Sequence, residues 1–204
     1  MNQFINRKIY QNIKMKNISE YIKNRRSIYP EQFSTEEIKT EEILQLLENA
    51  NYAPSHKLTQ PWRFKIISGN KKTELGLILA NEMKAKTTPE QFSEHTYNKM
   101  ISRPEKSSHV IAICMLRDPK ESVPEWEEIA AVSMAVQNIW LSAADFGIGM
   151  YWATPKPSSS EIVSTFLKLE NNERCLGFLY LGYTQFNPEL KAARTPAEDK
   201  VKWI

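Results

Sequence analysis

Three observations predict a mixed α/β domain of three layers. Two eight-residue runs are almost wholly apolar, HVIAICML at 109–116 and LGFLYLGY at 176–183. Such runs mark strands covered on both faces. Residues 125–146 form one long, nearly all-apolar helical pattern, and further helix-period segments separate the strands without a repeat or a low-complexity linker. Strands alternating with helices bury their apolar faces as a sheet between helical layers.

Taken in order, residues 17–26 read as a short helix with Ile18, Tyr21 and Ile22 on one face. Residues 27–39 are irregular and hold Pro30. The segment 41–52 is amphipathic, with Ile43, Leu44, Leu46 and Leu47 as its stripe and Thr40 as the expected N-cap. Pro54 closes that helix, and 62–68 follows as a strand ended by Gly69-Asn70. Helices are expected at 71–83 and 88–101, the second with Pro89 in its first turn. After strand 109–116, Pro124 introduces the helix 125–146, and Gly147 terminates it. A helix this apolar should be buried on most sides, and a subunit interface is a natural cover for it. A strand at 148–152, a helix at 158–169 capped by the serine run, the strand 176–183 and a polar tail complete the chain.

A chain of 204 residues that is 41% hydrophobic and 25% charged is an ordinary globular composition, long enough for one sizeable core. The net charge of +3 is unevenly spread. Residues 1–27 carry seven basic groups against Glu20 alone, leaving the remainder acidic, which argues against a uniformly basic nucleic-acid binder. Residues 1–16 read as a flexible arm before a single domain at 17–204. They have no apolar secretory core, and no stretch is judged apolar enough to span a bilayer, so a cytoplasmic location is expected. Cys114 and Cys175 lie in apolar runs outside any CxxC pair, and buried free thiols are the expectation.

Metal, acyl-transfer and dinucleotide-fingerprint chemistries find no support. Three histidines occur without ligand spacing, no GxSxG elbow is present, and Gly147-Ile148-Gly149 lacks a third glycine. Glu125, Glu127 and Glu128 read as a solvated first helical turn, and Trp126, Trp140 and Trp152 as core aromatics. Two polar clusters remain. Arg25-Arg26-Ser27 offers two guanidinium forks and a hydroxyl, suited to a phosphate. The loop APSHKLTQPW at 53–62 sets Ser55, His56, Thr59 and Gln60 beside an aromatic at the mouth of a strand, suited to the edge of a planar heterocycle.

With these clusters, the segments VPEWEEIAAVSMAVQNIW, FGIGMYWATP and GFLYLGY and the tail ARTPAEDKV, the chain resembles the FMN-dependent nitroreductase family from about Ile18 to its end. The resemblance implies an α+β fold, a three-layer α-β-α sandwich with a mostly antiparallel sheet, assembled as an intertwined homodimer around two FMN molecules. It implies that Arg25, Arg26 and Ser27 bind FMN, with Arg25 and Arg194 on the phosphate. His56 and Gln60 are implied to reach the partner's flavin, and Trp152, Ala153 and Thr154 to lie along the isoalloxazine edge. The flavin itself carries the chemistry, with NAD(P)H as donor and a nitroaromatic, quinone or conjugated enone as acceptor, and no metal. Leu58, Ala153 and Ala192 depart from residues common in the family. Two other functions share parts of this sequence: a flavin-binding redox sensor or store with the same FMN residues, and an electrostatic binding module using the basic arm.

Overall fold

The computed structural model describes residues 18–184 and 193–204. The chain divides into two units, Ser27–Phe186 and a second drawn from both ends, Met1–Arg26 with Asn187–Ile204. The expected arm at 1–16 and Ala192 lie outside the described residues.

Unbroken β-branched and aromatic runs give the larger unit one four-stranded sheet. Its strands are β1 (Trp62–Ile67), β2 (His109–Leu116), β3 (Ile148–Ala153) and β4 (Glu173–Tyr183). They pair in the order β1-β2-β4-β3, every pair antiparallel. The helices are α1 (Ile18–Asn24) in the smaller unit, then α2 (Thr40–Asn51), α3 (Asn70–Ala85), α4 (Glu94–Lys106), α5 (Glu125–Ser142) and α6 (Glu161–Phe166).

Side chains alternate across the pleat, so β2 feeds two cores. Ile111, Ile113 and Met115 join Met150, Leu179 and Leu181 beneath α2 and α5, where Leu46, Val132 and Ile139 are buried. Val110, Ala112 and Cys114 join Phe178 and Tyr180 on the other face, covered by Leu75 and Leu79 of α3 and Val163 of α6. The expected three-layer α-β-α arrangement is present.

One irregularity breaks the alternation. The β2–β4 register passes from Ile113–Gly177 to Cys114–Cys175, skipping Leu176. This bulge inserts one residue and sends Cys175 to the face of Phe178 instead of that of Leu179. Gly177 takes φ +134° there, a region closed to most side chains.

Several boundaries differ from the sequence reading. Helix α4 begins at Glu94, because Ser93 caps it by accepting from the Thr96 N–H at 3.3 Å, and Pro89 lies in the preceding turn. Lys39 holds the cap position of α2, with Thr40 its first helical residue. Helix α5 gives way to a 3-10 turn at Ala143–Phe146, which Gly147 ends with φ +68°. The serine run splits the expected helix at 158–169 into a 3-10 turn at Lys156–Ser159 and the short α6 capped by Ser160. Strand β4 begins three residues early, since Glu173 and Arg174 still pair with β2. By length and composition alone, Glu125–Phe146 is nonetheless long and apolar enough to cross a membrane. Gln137 and Asn138 do not lower its mean hydropathy enough. Nor is α5 buried on most sides: one face packs on the sheet, while Trp126 (67% exposed) and Met134 stand out from the protein.

Candidate functional site

The antiparallel order brings the start of β1, the end of β2, the start of β4 and the end of β3 to one end of the sheet. The two polar segments of the larger unit both sit there, at opposite edges. Residues 56–60 precede edge strand β1, and Thr154 follows edge strand β3. Three strand spacings separate these edges, about 14 Å.

The turn before β1 is strained. Lys57, Leu58 and Gln60 have φ values of 50°, 54° and 42°, and a non-glycine residue in this left-handed region costs on the order of 1–2 kcal/mol. Contacts elsewhere hold the turn in that shape. Lys57 Nζ donates to the Ser122 carbonyl at 2.7 Å, and the Gln60 N–H donates to Ser55 Oγ at 3.3 Å. His56 Nδ1 lies 2.5 Å from Glu127 Oε2 at the start of α5. A bond at Nδ1 fixes the ring's orientation and leaves Nε2 facing away from the carboxylate. Gln60 is exposed, and its carbonyl accepts from Arg63 at 3.0 Å. It borders a groove of about 480 Å³ with Thr59, Trp62, Asn51 and Leu44.

The acidic start of α5 is only in part the solvated turn expected from sequence: Glu125 is exposed, whereas Glu128 is buried. Each carboxylate pins a different element. Glu125 pairs with Arg174 of β4 at 3.0 Å, and Glu127 with His56. Glu128, 1% exposed, pairs with Arg117 just beyond β2 and accepts from the Asp118 N–H at 3.0 Å. That partner holds the Arg117 guanidinium above its ordinary pKa. Negative charge at this helix end is also favoured by the macrodipole.

At the other edge, Ser27 leads into Ile28, whose N–H donates to the Met150 carbonyl at 2.9 Å, fastening this segment along β3. Trp152 and Ala153 end the strand against the bulge in β4. A Cβ on Gly177 would meet the Ala153 carbonyl at 2.5 Å, Trp152 Nε1 at 2.8 Å and the Thr154 methyl at 3.1 Å. Only a glycine lets the two backbones approach this closely. Trp152 Nε1 is buried with no hydrogen-bond partner among the described residues. Thr154 is exposed, and Pro155 after it has no N–H to offer.

In the smaller unit, both chain ends supply arginines. Burial, then the charge of Arg194, then that of Arg26 lower the Arg25 pKa from its ordinary value. Arg26 donates to the carbonyls of Lys23 (2.6 Å) and Arg25 (2.8 Å), and Arg194 to that of Ala193 (2.8 Å). The charges of Arg194 and Arg26 thus both act on Arg25.

The structure therefore brings Arg194 to Arg25 and its neighbour Arg26, and places Ser27 next to Ile28, which bonds to the strand that carries Trp152 and Ala153 and leads into Thr154. It does not bring His56 and Gln60 to that edge of the same chain. Glu127 and Gly177 were missed as site residues. A glycine inside an apolar strand signals a bulge, so Gly177 left a trace. Glu127 left none, because its partner lies 71 residues away.

The Nitroreductase family model matches residues 22–183. YfhC of Bacillus subtilis (strain 168), provisionally named an NAD(P)H nitroreductase, is 30% identical over 185 residues, 90% of this chain and 92% of its own. The crystal structure of a nitroreductase-like family protein from Bacillus cereus superimposes with a TM-score of 0.76 at 26% identity, covering 94% of this chain and 97% of that one. The FMN-dependent nitroreductase NfnB of Mycobacterium smegmatis, solved in complex with NADPH, shares the fold with a TM-score of 0.72 at 17% identity, covering 91% and 97%.

Proposed function

The chain belongs to the Nitroreductase family, and from that premise we propose that it is a cytoplasmic FMN-dependent NAD(P)H oxidoreductase that works as a homodimer. Its acceptors in this reading are nitroaromatics, quinones or similar electron-poor molecules. The observation that carries the proposal is the convergence of Arg194 on Arg25 and Arg26 from opposite ends of the chain. Three cations repel one another, and a phosphate dianion between them relieves that repulsion while accepting several charge-assisted bonds.

The family resemblance assigns the remaining residues to the rest of such a ligand. Trp152, Ala153 and Thr154 lie at a strand end packed closely against Gly177, with Thr154 exposed. Its backbone N–H is the donor proposed for the flavin N5, and the Ser27 hydroxyl, one residue after Arg26, is assigned to the chain linking phosphate and ring. When bound, FMN supplies hydride acceptance from NAD(P)H and its onward transfer. Donor and acceptor use one site in turn, so ping-pong kinetics are expected. The two-edge geometry favours a dimer. His56 and Gln60 lie at the sheet edge opposite Thr154 in their own chain, and they are assigned to the partner's site. Exposed Trp126, Met134, Leu44 and Leu58 supply an apolar surface for that contact. NfnB, with the same fold, is FMN-dependent and binds NADPH.

The absorption spectrum tests the reading. Purified protein incubated with FMN and desalted should retain oxidised-flavin bands that NADH or NADPH bleaches. Protein that emerges colourless overturns it.

A further inference from the structure

We propose that Cys114 and Cys175 are a reversible dithiol–disulfide pair, oxidised by hydrogen peroxide or a similarly small uncharged peroxide, beneath the strand end at Trp152–Thr154. The chain has only these two cysteines, both free and buried. They stand directly opposite each other where β2 pairs with β4. Directly opposed residues of antiparallel strands have Cα atoms about 4.5–5.5 Å apart, inside the span that a disulfide bridges. The bulge that skips Leu176 is what turns Cys175 to the face of Cys114. In ordinary alternation it would point to the opposite core.

The two thiols are chemically unequal. Cys114 Sγ donates to the Ala112 carbonyl at 3.8 Å, and its contact with the Cys175 sulfur is the main cause that lowers the Cys175 pKa and raises that of Cys114. Cys175, 5% exposed against 0% for Cys114, is the sulfur that a small oxidant reaches first, and it is assigned as the attacking sulfur with Cys114 as the resolving one. In the first step the Cys175 thiolate bonds to a peroxide oxygen, the O–O bond breaks, and water leaves once a proton is taken up. The product is a sulfenic acid. Cys114 sulfur then bonds to Cys175 sulfur, the S–O bond breaks, and a second water leaves with the Cys114 proton. Two thiols lose two electrons in all, and one peroxide is reduced to two waters.

Oxidation reaches the neighbouring strand. Cys175 Sγ donates to the Gly177 carbonyl at 3.4 Å, and Gly177 is the residue pressed against Ala153 and Trp152. Forming the disulfide removes that donor, so the thiol state acts on the backbone at 152–154. This inference stands apart from the flavin proposal and holds whether or not FMN binds.

The full-length protein, reduced and desalted, is treated with hydrogen peroxide, unfolded in urea with an alkylating agent, and weighed intact and after digestion. Loss of both alkylation sites, a peptide linking Cys114 to Cys175 and full recovery with dithiothreitol are expected. Retained alkylation, stable oxygen adducts without the linked peptide, or a link between two chains overturns the pair. In Cys114→Ser, Cys175 should accumulate as a dimedone-trappable sulfenic acid, whereas Cys175→Ser should leave Cys114 unreactive. Reactive Cys114 in the second variant overturns the assigned order. Amide exchange at 152–154 should rise in the oxidised protein, and unchanged exchange overturns the link to that strand.

Discussion

Single side chains decide the shape of both edges of the sheet. Gly177 sits at φ +134° with the Ala153 carbonyl where a Cβ would go. Gly177→Ala should destabilise the fold by about 1–3 kcal/mol, read as a lower urea midpoint, since a strained backbone and a clash are imposed together. Glu127 anchors His56 from across the chain. An exposed pair of this kind is worth up to about fivefold in an equilibrium, so Glu127→Gln should weaken FMN binding by about two- to fivefold with little change in melting temperature. Fluorescence titration of FMN checks the first part and calorimetry the second. An unchanged dissociation constant would show that the His56 ring takes no part in binding.

At the scale of elements, the start of β2 is a junction of buried polar groups. Ser108 Oγ accepts the Ile38 N–H at 2.7 Å and bonds His109 Nδ1 at 2.9 Å. Lys72 Nζ donates to the Ser107 and Ser108 carbonyls, the latter at 3.2 Å, and Glu37 lies 3.9 Å from His109 Nε2. Burial, aided by the Lys72 charge and opposed by Glu37, depresses the His109 pKa below its ordinary 6.5. The unfolded chain then binds a proton more readily than the folded one. Stability from neutral His109 is full above about pH 6.5 and is lost as pH falls toward the folded value. Urea midpoints measured from pH 7.5 down to 5.5 should drop, and His109→Gln should flatten that part of the slope. Much of this scale was legible in advance. Strand β2 matches the apolar run residue for residue, because continuous burial requires a continuous pattern. Helix α4 was misplaced, because a serine cap outweighed the preference of Pro89 for a first turn.

For the whole molecule, the proposed dimer predicts that assembly and cofactor retention fail together. Trp126→Glu with Met134→Lys places charges on the exposed face of α5. Light scattering should report a monomer, and absorbance a protein stripped of most of its flavin. A yellow monomer would return His56 and Gln60 to their own chain. The sequence by itself determined the layers, the paired arginines and the polar loop, since local periodicity and residue chemistry are written within a few neighbours. Only the tertiary structure decided that Arg194 joins Arg25, that Glu127 holds His56, that the bulge at Gly177 opposes Cys114 to Cys175, and that residues 56–60 and Thr154 lie at opposite sheet edges. Strand order and register set these contacts, and both arise from the joint packing of two cores across distances no local pattern encodes.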